Sequence, residues 1–188
     1  MSQPIHVAAS SGNINALQTE LIKGVDIDSA LTNGGWTPLH CAARSNKPEA
    51  AKFLVAARAN VESTDDESRT ALHLACERDH VAVAAVLLDA KAQIDARDRQ
   101  SFTPLIRCAD EGKLACAKLL LERKADPTLT VTDGGFKGKT AFDIAKFSKR
   151  DKLVALLQPV SPASAAPAAS AAAPAKKSSL FDDTLPLS

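Results

Sequence analysis

From its first residues to about Gln158 the chain alternates short apolar stretches with polar breaks, and the spacing within each stretch is helical. Small residues recur in pairs at Ala8-Ala9, Ala42-Ala43, Ala75-Cys76 and Cys108-Ala109, where slight side chains let neighbouring helices approach closely. Downstream of each pair comes a bulkier set: Leu17, Leu21 and Ile22; Phe53 and Leu54; Val86, Leu87 and Leu88; Leu119, Leu120 and Leu121. These are expected to form the buried stripe of a second helix. Between the small and the bulky sets stand Gly12, Asn46, Asp79 and Gly112, residue types that enter a left-handed backbone at low cost. The pattern therefore predicts pairs of short helices joined by tight turns.

The pairs repeat. Thr37-Pro38-Leu39-His40 recurs as Thr70-Ala71-Leu72-His73, as Thr103-Pro104-Leu105-Ile106 and as Thr140-Ala141-Phe142-Asp143, at separations of 33, 33 and 37 residues. A clipped copy, Gln3-Pro4-Ile5-His6, precedes the first by 34 residues. Threonine suits the start of a helix because its hydroxyl satisfies a free backbone N–H, and proline fits the first turn. This period and tetrapeptide resemble the ankyrin-repeat family, over Gln3 to about Gln158. The resemblance implies an all-α solenoid of stacked helix–turn–helix units with β-hairpin fingers. Its repeats run over about 3–36, 37–69, 70–102 and 103–139, with a partial one over 140–158. It also implies structural roles for Thr37, Thr70 and Thr103 as caps, and for His6, His40 and His73 as hydrogen-bond links between neighbouring turns; His80 joins them.

There are departures. The family ends its second helix on Gly, as at Gly24, but Arg58, Lys91 and Lys124 hold that place here, 33 residues apart. A side chain held left-handed costs on the order of 1 kcal/mol, so these turns are expected to be strained or reshaped. An insertion over Val131–Lys137, with Gly134-Gly135, should lengthen one finger. Polar outer faces are needed at the two ends of a solenoid. Asn15, Gln18, Thr19 and Glu20 at one end and Lys146, Lys149, Arg150, Asp151 and Lys152 at the other are placed to supply them.

Composition narrows the function. The hydrophobic fraction is 45%, yet only 4% is aromatic and no Tyr is present, so helix packing must rest on Ala, Leu, Val and Ile. With 23 Lys+Arg against 22 Asp+Glu the formal charge is +1, lacking the basic excess of nucleic-acid binders. The longest apolar run, Val81–Leu88, is too short to span a bilayer, and Met1-Ser2-Gln3-Pro4 does not read as a secretory signal. A soluble monomer of the cytoplasm, or of the nucleus, is expected, with no nucleic-acid or membrane partner. Cys41, Cys76, Cys108 and Cys116 show no C-x-x-C spacing and are expected to be buried thiols. No phosphate-binding loop, zinc-protease motif or nucleophile elbow occurs, so neither catalysis nor a cofactor or metal is expected. Asp65-Asp66-Glu67 lacks the further ligands of a calcium loop and is read as a solvated finger tip.

What remains is a surface for protein partners of unknown identity. The resemblance implies binding on a concave face made of fingers and first helices. Its finger row is Trp36, Arg69, Phe102 and Lys139, all expected to face solvent, flanked by Asn33, Asp66, Glu67, Gln100, Arg99, Phe136 and Lys137. The first helices add Arg44, Ser45, Glu77, Arg78, Asp110, Glu111 and Phe147. Exposed Trp, Phe and Arg on a rigid scaffold are the residue types that dominate binding energy. Residues 159–177 are almost entirely Ala, Pro and Ser and predict an extended, disordered tether. At its end Leu180-Phe181-Asp182-Asp183 resembles a short docking motif. Ser161-Pro162 and Ser179 are candidate phosphorylation sites. Two roles fit such a chain: an adaptor, or a stoichiometric inhibitor or assembly chaperone of a kinase, a transcription factor or a proteasome subunit. An enzyme using Cys108, Cys116 or the acidic triplet is the rival from another class.

Overall fold

The structure, a computed structural model, describes residues 4–158. Five helix pairs follow one another: α1 (Pro4–Ser11) and α2 (Ile14–Ile22), α3 (Pro38–Arg44) and α4 (Pro48–Ala56), α5 (Ala71–Glu77) and α6 (Val81–Asp89), α7 (Pro104–Glu111) and α8 (Leu114–Glu122), α9 (Ala141–Phe147) and α10 (Asp151–Leu157). Each odd-numbered helix packs on the next odd one and each even-numbered helix on the next even one, so the pairs stack into two helical layers. Fingers connect the pairs; among the described residues they hold only isolated β-bridges, Thr64 with Thr70 and Thr130 with Thr140.

The core is built from the repeated positions. Ile5, Leu39, Leu72 and Leu105 fill one place in successive first helices, and Leu54, Leu87, Leu120 and Leu157 one place in the second, with Leu17 and Leu153 a turn earlier in α2 and α10, all buried. The small pairs lie between them, Ala9, Ala43, Cys76 and Ala109 fully buried. One expected core residue is out of place. Ile22 is 79% exposed, because it lies five residues beyond Leu17, about 140° further round the helix.

The helix ends follow the expected chemistry. Thr37, Thr103 and Thr140 cap α3, α7 and α9 through side-chain oxygens that accept from the N–H of His40, Ile106 and Asp143. The turns inside the pairs are left-handed at Gly12, Asn46, Asp79, Gly112 and Lys149. So are the ends of the second helices, at Gly24 and, without glycine's freedom, at Arg58, Lys91 and Lys124 with φ of 69°, 66° and 71°. The departure from glycine thus left the turn shape intact.

Histidines bind one unit to the next. In α3, His40 Nδ1 accepts from the Thr37 N–H at 3.2 Å and from the Thr37 hydroxyl at 2.8 Å. Its Nε2–H then donates to the Arg69 carbonyl in the following finger at 3.0 Å. His73 repeats this with Thr70 and the Phe102 carbonyl, at 3.1 Å, and His6 Nε2–H reaches the Trp36 carbonyl at 2.9 Å. His80 instead reaches back through Nδ1 to the Ala43 carbonyl at 2.9 Å. Ile106 stands in the fourth place and can make no such bond, so the finger ending at Lys139 is held otherwise. Val131 N–H donates to the Lys139 carbonyl and Gly138 N–H to the Val131 carbonyl, around a 3-10 turn at Gly134–Phe136.

Candidate protein-binding face

The finger row and the first helices place the expected contact residues unevenly. Asn33, Arg44, Asp66, Glu67, Arg78, Arg99 and Lys139 are exposed; Trp36, Arg69 and Phe136 are half-buried; Phe102 is buried at 5%. Trp36 lies under the Arg44 guanidinium, which sits 4.4 Å from the ring centroid. The indole divides two clefts. One, of about 340 Å³, is lined by Ser10, Arg44, Ser45 and Arg78; the other, of about 280 Å³, by Asn33, Asp66, Glu67 and Arg69.

Two expectations are corrected here. Phe102 does not face solvent. The Arg107 guanidinium covers its ring at 4.8 Å and Phe136 meets it edge-on at 6.1 Å. The physical reason is the insertion: the longer fourth finger carries Phe136 far enough to fold over the neighbouring unit. Phe102 therefore supports the face from beneath. The acidic triplet is likewise not a uniformly solvated tip. Asp65 is 6% exposed and accepts from the N–H groups of Glu67 and Arg69 at 2.9 and 2.8 Å. It also binds the Arg69 guanidinium at 2.9 Å, and Glu77 takes a further Arg69 nitrogen at 3.3 Å. Arg69 is held by these carboxylates, which favour its charged form against the opposing effect of burial. It is a strut of the finger more than a free contact.

A second aromatic site lies at the other end. Phe136 meets Phe147 edge-on at 5.5 Å, and Phe147, the last residue of α9, is 74% exposed. With Gly135, Lys139, Asp143 and Lys146 they line a cleft of about 530 Å³. Phe136 is also the wall of an adjoining cleft of about 400 Å³ that Arg99, Gln100, Asp110 and Asp133 border. Sequence reasoning named Phe147 only as one member of the first-helix face. The signal was present, since the equivalent places seven residues beyond each Thr hold Arg44, Glu77 and Asp110, all charged.

The reactive groups are placed for structure. Cys41, Cys76, Cys108 and Cys116 are all buried free thiols. Burial pushes Cys41 up to about 11. Hydrogen bonding with the Cys108 and Cys116 thiols, and then burial, raise Cys76 well above the ordinary thiol range. A neutral thiol is a poor nucleophile. Among the described residues no cluster of His, Cys, Asp or Glu is arranged to hold a metal ion, and no helix is long and apolar enough to cross a membrane. Leu180, Phe181, Asp182 and Asp183, with Ser161 and Ser179, lie outside the described residues.

A family model for ankyrin repeats, in three copies, matches residues 2–65 and 58–131. Protein phosphatase 1 regulatory subunit 27 of Homo sapiens is 33% identical over 63 residues, which are 34% of this chain and 40% of that relative. The chain thus spans well under half of that relative's length. With the stacked helix pairs, the family match over residues 2–131 shows that the chain belongs to the ankyrin-repeat family, whose repeats form protein–protein interaction modules.

Proposed function

We propose that this chain is a non-catalytic adaptor that takes a folded protein or a peptide on the concave face made by its fingers and first helices. The observation that supports this best is Phe147, a large aromatic side chain 74% exposed yet braced edge-on by Phe136, which Phe102 braces in turn. An exposed ring held in one place loses little side-chain freedom when a partner covers it. Trp36 under Arg44 offers a second anchor of the same kind at the other end of the face. Binding is carried by preorganised aromatic and basic side chains.

A second role, as a stoichiometric regulator of an enzyme, is favoured by one comparison, since the matched human relative is named as a phosphatase regulatory subunit. Its matched stretch is 63 residues, about two repeats.

Affinity capture with the full chain tests the proposal. Trp36→Ala/Phe147→Ala should reduce recovery of specific partners by about tenfold or more, because aromatic anchors are each worth about 1 kcal/mol or more. Ile22→Ala, an exposed apolar change in the outer helices, should leave recovery unchanged. Equal recovery with the double variant, in a protein whose circular dichroism is unaltered, would remove the proposed face.

A further inference from the structure

The cleft between the fourth finger and α9 combines a strongly exposed aromatic ring with exposed lysines. Elsewhere on the face Arg69 is paired with Asp65 and Glu77 and Arg107 with Asp98 at 2.6 Å, Arg44 lies over Trp36, and the exposed Arg78 and Arg99 form no ion pair among the described residues. Lys139 and Lys146 line the Phe136–Phe147 cleft, are exposed, and form no ion pair among the described residues. The single carboxylate in the lining, Asp143, is committed to its own helix. Its Oδ2 accepts from the Thr140 N–H at 3.0 Å and from the Thr140 hydroxyl at 2.9 Å, and these bonds, with a smaller contribution from the nearby Lys139 and Lys146 charges, hold it below the ordinary carboxylate range. An incoming cation would compete with that cap, whereas an incoming carboxylate meets two available ammonium groups beside an exposed aromatic surface.

Resting on the reading of this face as a protein-binding surface, we propose that the Phe136–Phe147 cleft selects a partner segment carrying large apolar side chains next to carboxylates. The apolar side chains lie against Phe147 and Phe136, and the acids reach Lys139 and Lys146. The aromatic contacts supply the affinity. The lysines set the sign of the partner's charge and speed encounter, an effect that salt weakens. The adjoining cleft, bordered by Asp110 and Asp133 as well as Arg99, gives the segment a direction, with its acids toward the lysines.

Fluorescence anisotropy on the full chain tests this with labelled peptides. One alternates Phe and Leu with Asp and Glu; a second has Lys for every acid; a third has Ala for every Phe and Leu. The acidic apolar peptide should bind, with affinity falling as salt rises, and each matched peptide should bind about tenfold more weakly or worse. Phe147→Ala and Lys139→Glu/Lys146→Glu should each lose about tenfold in affinity, and Lys139→Arg/Lys146→Arg should keep it. All three changed side chains are exposed, so folding is not at issue. Equal binding of the lysine peptide, or indifference to charge reversal, would overturn the proposal. So would self-association of the chain that Phe147→Ala abolishes, since a second copy would then be the occupant. Absence of peptide binding would also overturn it. If captured partners were still lost with Phe147→Ala, the face would stand with another partner chemistry; if capture were indifferent too, the protein-binding face would fall with it.

Discussion

Left-handed residues show how the same backbone angle can arise for different reasons. Arg58, Lys91 and Lys124 sit at positive φ on exposed helix ends, where nothing in their surroundings calls for a side chain. A Cβ in that conformation costs about 1–2 kcal/mol, partly offset in glycine by its looser unfolded chain. Each of Arg58→Gly, Lys91→Gly and Lys124→Gly should therefore raise stability, by up to about 1 kcal/mol in urea unfolding. A loss of stability in all three would show that their basic side chains contribute more than strain removes. Gly35 has a similar angle, φ of 67°, for a different reason. A Cβ there would come within 2.6 Å of Asp66 Oδ1 and 3.0 Å of the Asp66 amide nitrogen. Those atoms are fixed, since the Asp66 N–H donates to the Gly34 carbonyl and Gly34 N–H to Asp66 Oδ2. Gly35→Ala should destabilise the protein through both strain and clash, and unfolding measurements on the same scale check the opposite sign.

At the scale of the helix pair, the histidine links make stability depend on pH. In His40 the Nδ1 atom accepts from Thr37 while Nε2–H donates onward, so the neutral ring is the form that fits. Burial lowers His6, His40 and His73 below the ordinary value of 6.5. The unfolded chain then binds more protons than the folded one as pH falls past that value, and stability decreases with it. Stability should be level above about pH 7 and fall between there and about pH 5.5, before most carboxylates titrate. The slope of urea-unfolding free energy against pH should shrink in His40→Asn/His73→Asn; an unchanged slope would contradict the assignment. The element scale is also where the sequence was most legible. Period, caps, turns and buried leucines follow from local chemistry that each unit repeats. What could not be read was whatever depended on a neighbour. Ser68 and Ser101 adopt positive φ just before Arg69 and Phe102, as Gly35 and Gly138 do at the same register, but serine does not announce it. Phe102 carries no local sign of burial, because its cover, Phe136, lies in an insertion 34 residues away.

The stack as a whole converts those local units into one stiff edge with different chemistry at its two ends. Each unit touches only its neighbours, so the tip of one finger is fixed by the histidine of the unit before it and, at Phe102, by the finger after it. On the finger face the aromatic residues that remain accessible are consequently those where the repeat is irregular: Trp36, ahead of the first complete tetrapeptide, Phe136, in the insertion, and Phe147, in the last unit. That places anchors at both ends of the face and charged side chains between them, an arrangement suited to a partner long enough to span several units.

Site-specific photo-cross-linking tests this most directly. A photoreactive phenylalanine analogue placed in the full chain at Phe147 or Trp36, on the finger face, or at Ile22 or Lys91, on the outer helices and their ends, would report which face a partner covers. The account predicts a shared cross-linked product from the first two positions and none from the last two. Products confined to Ile22 and Lys91 would contradict it.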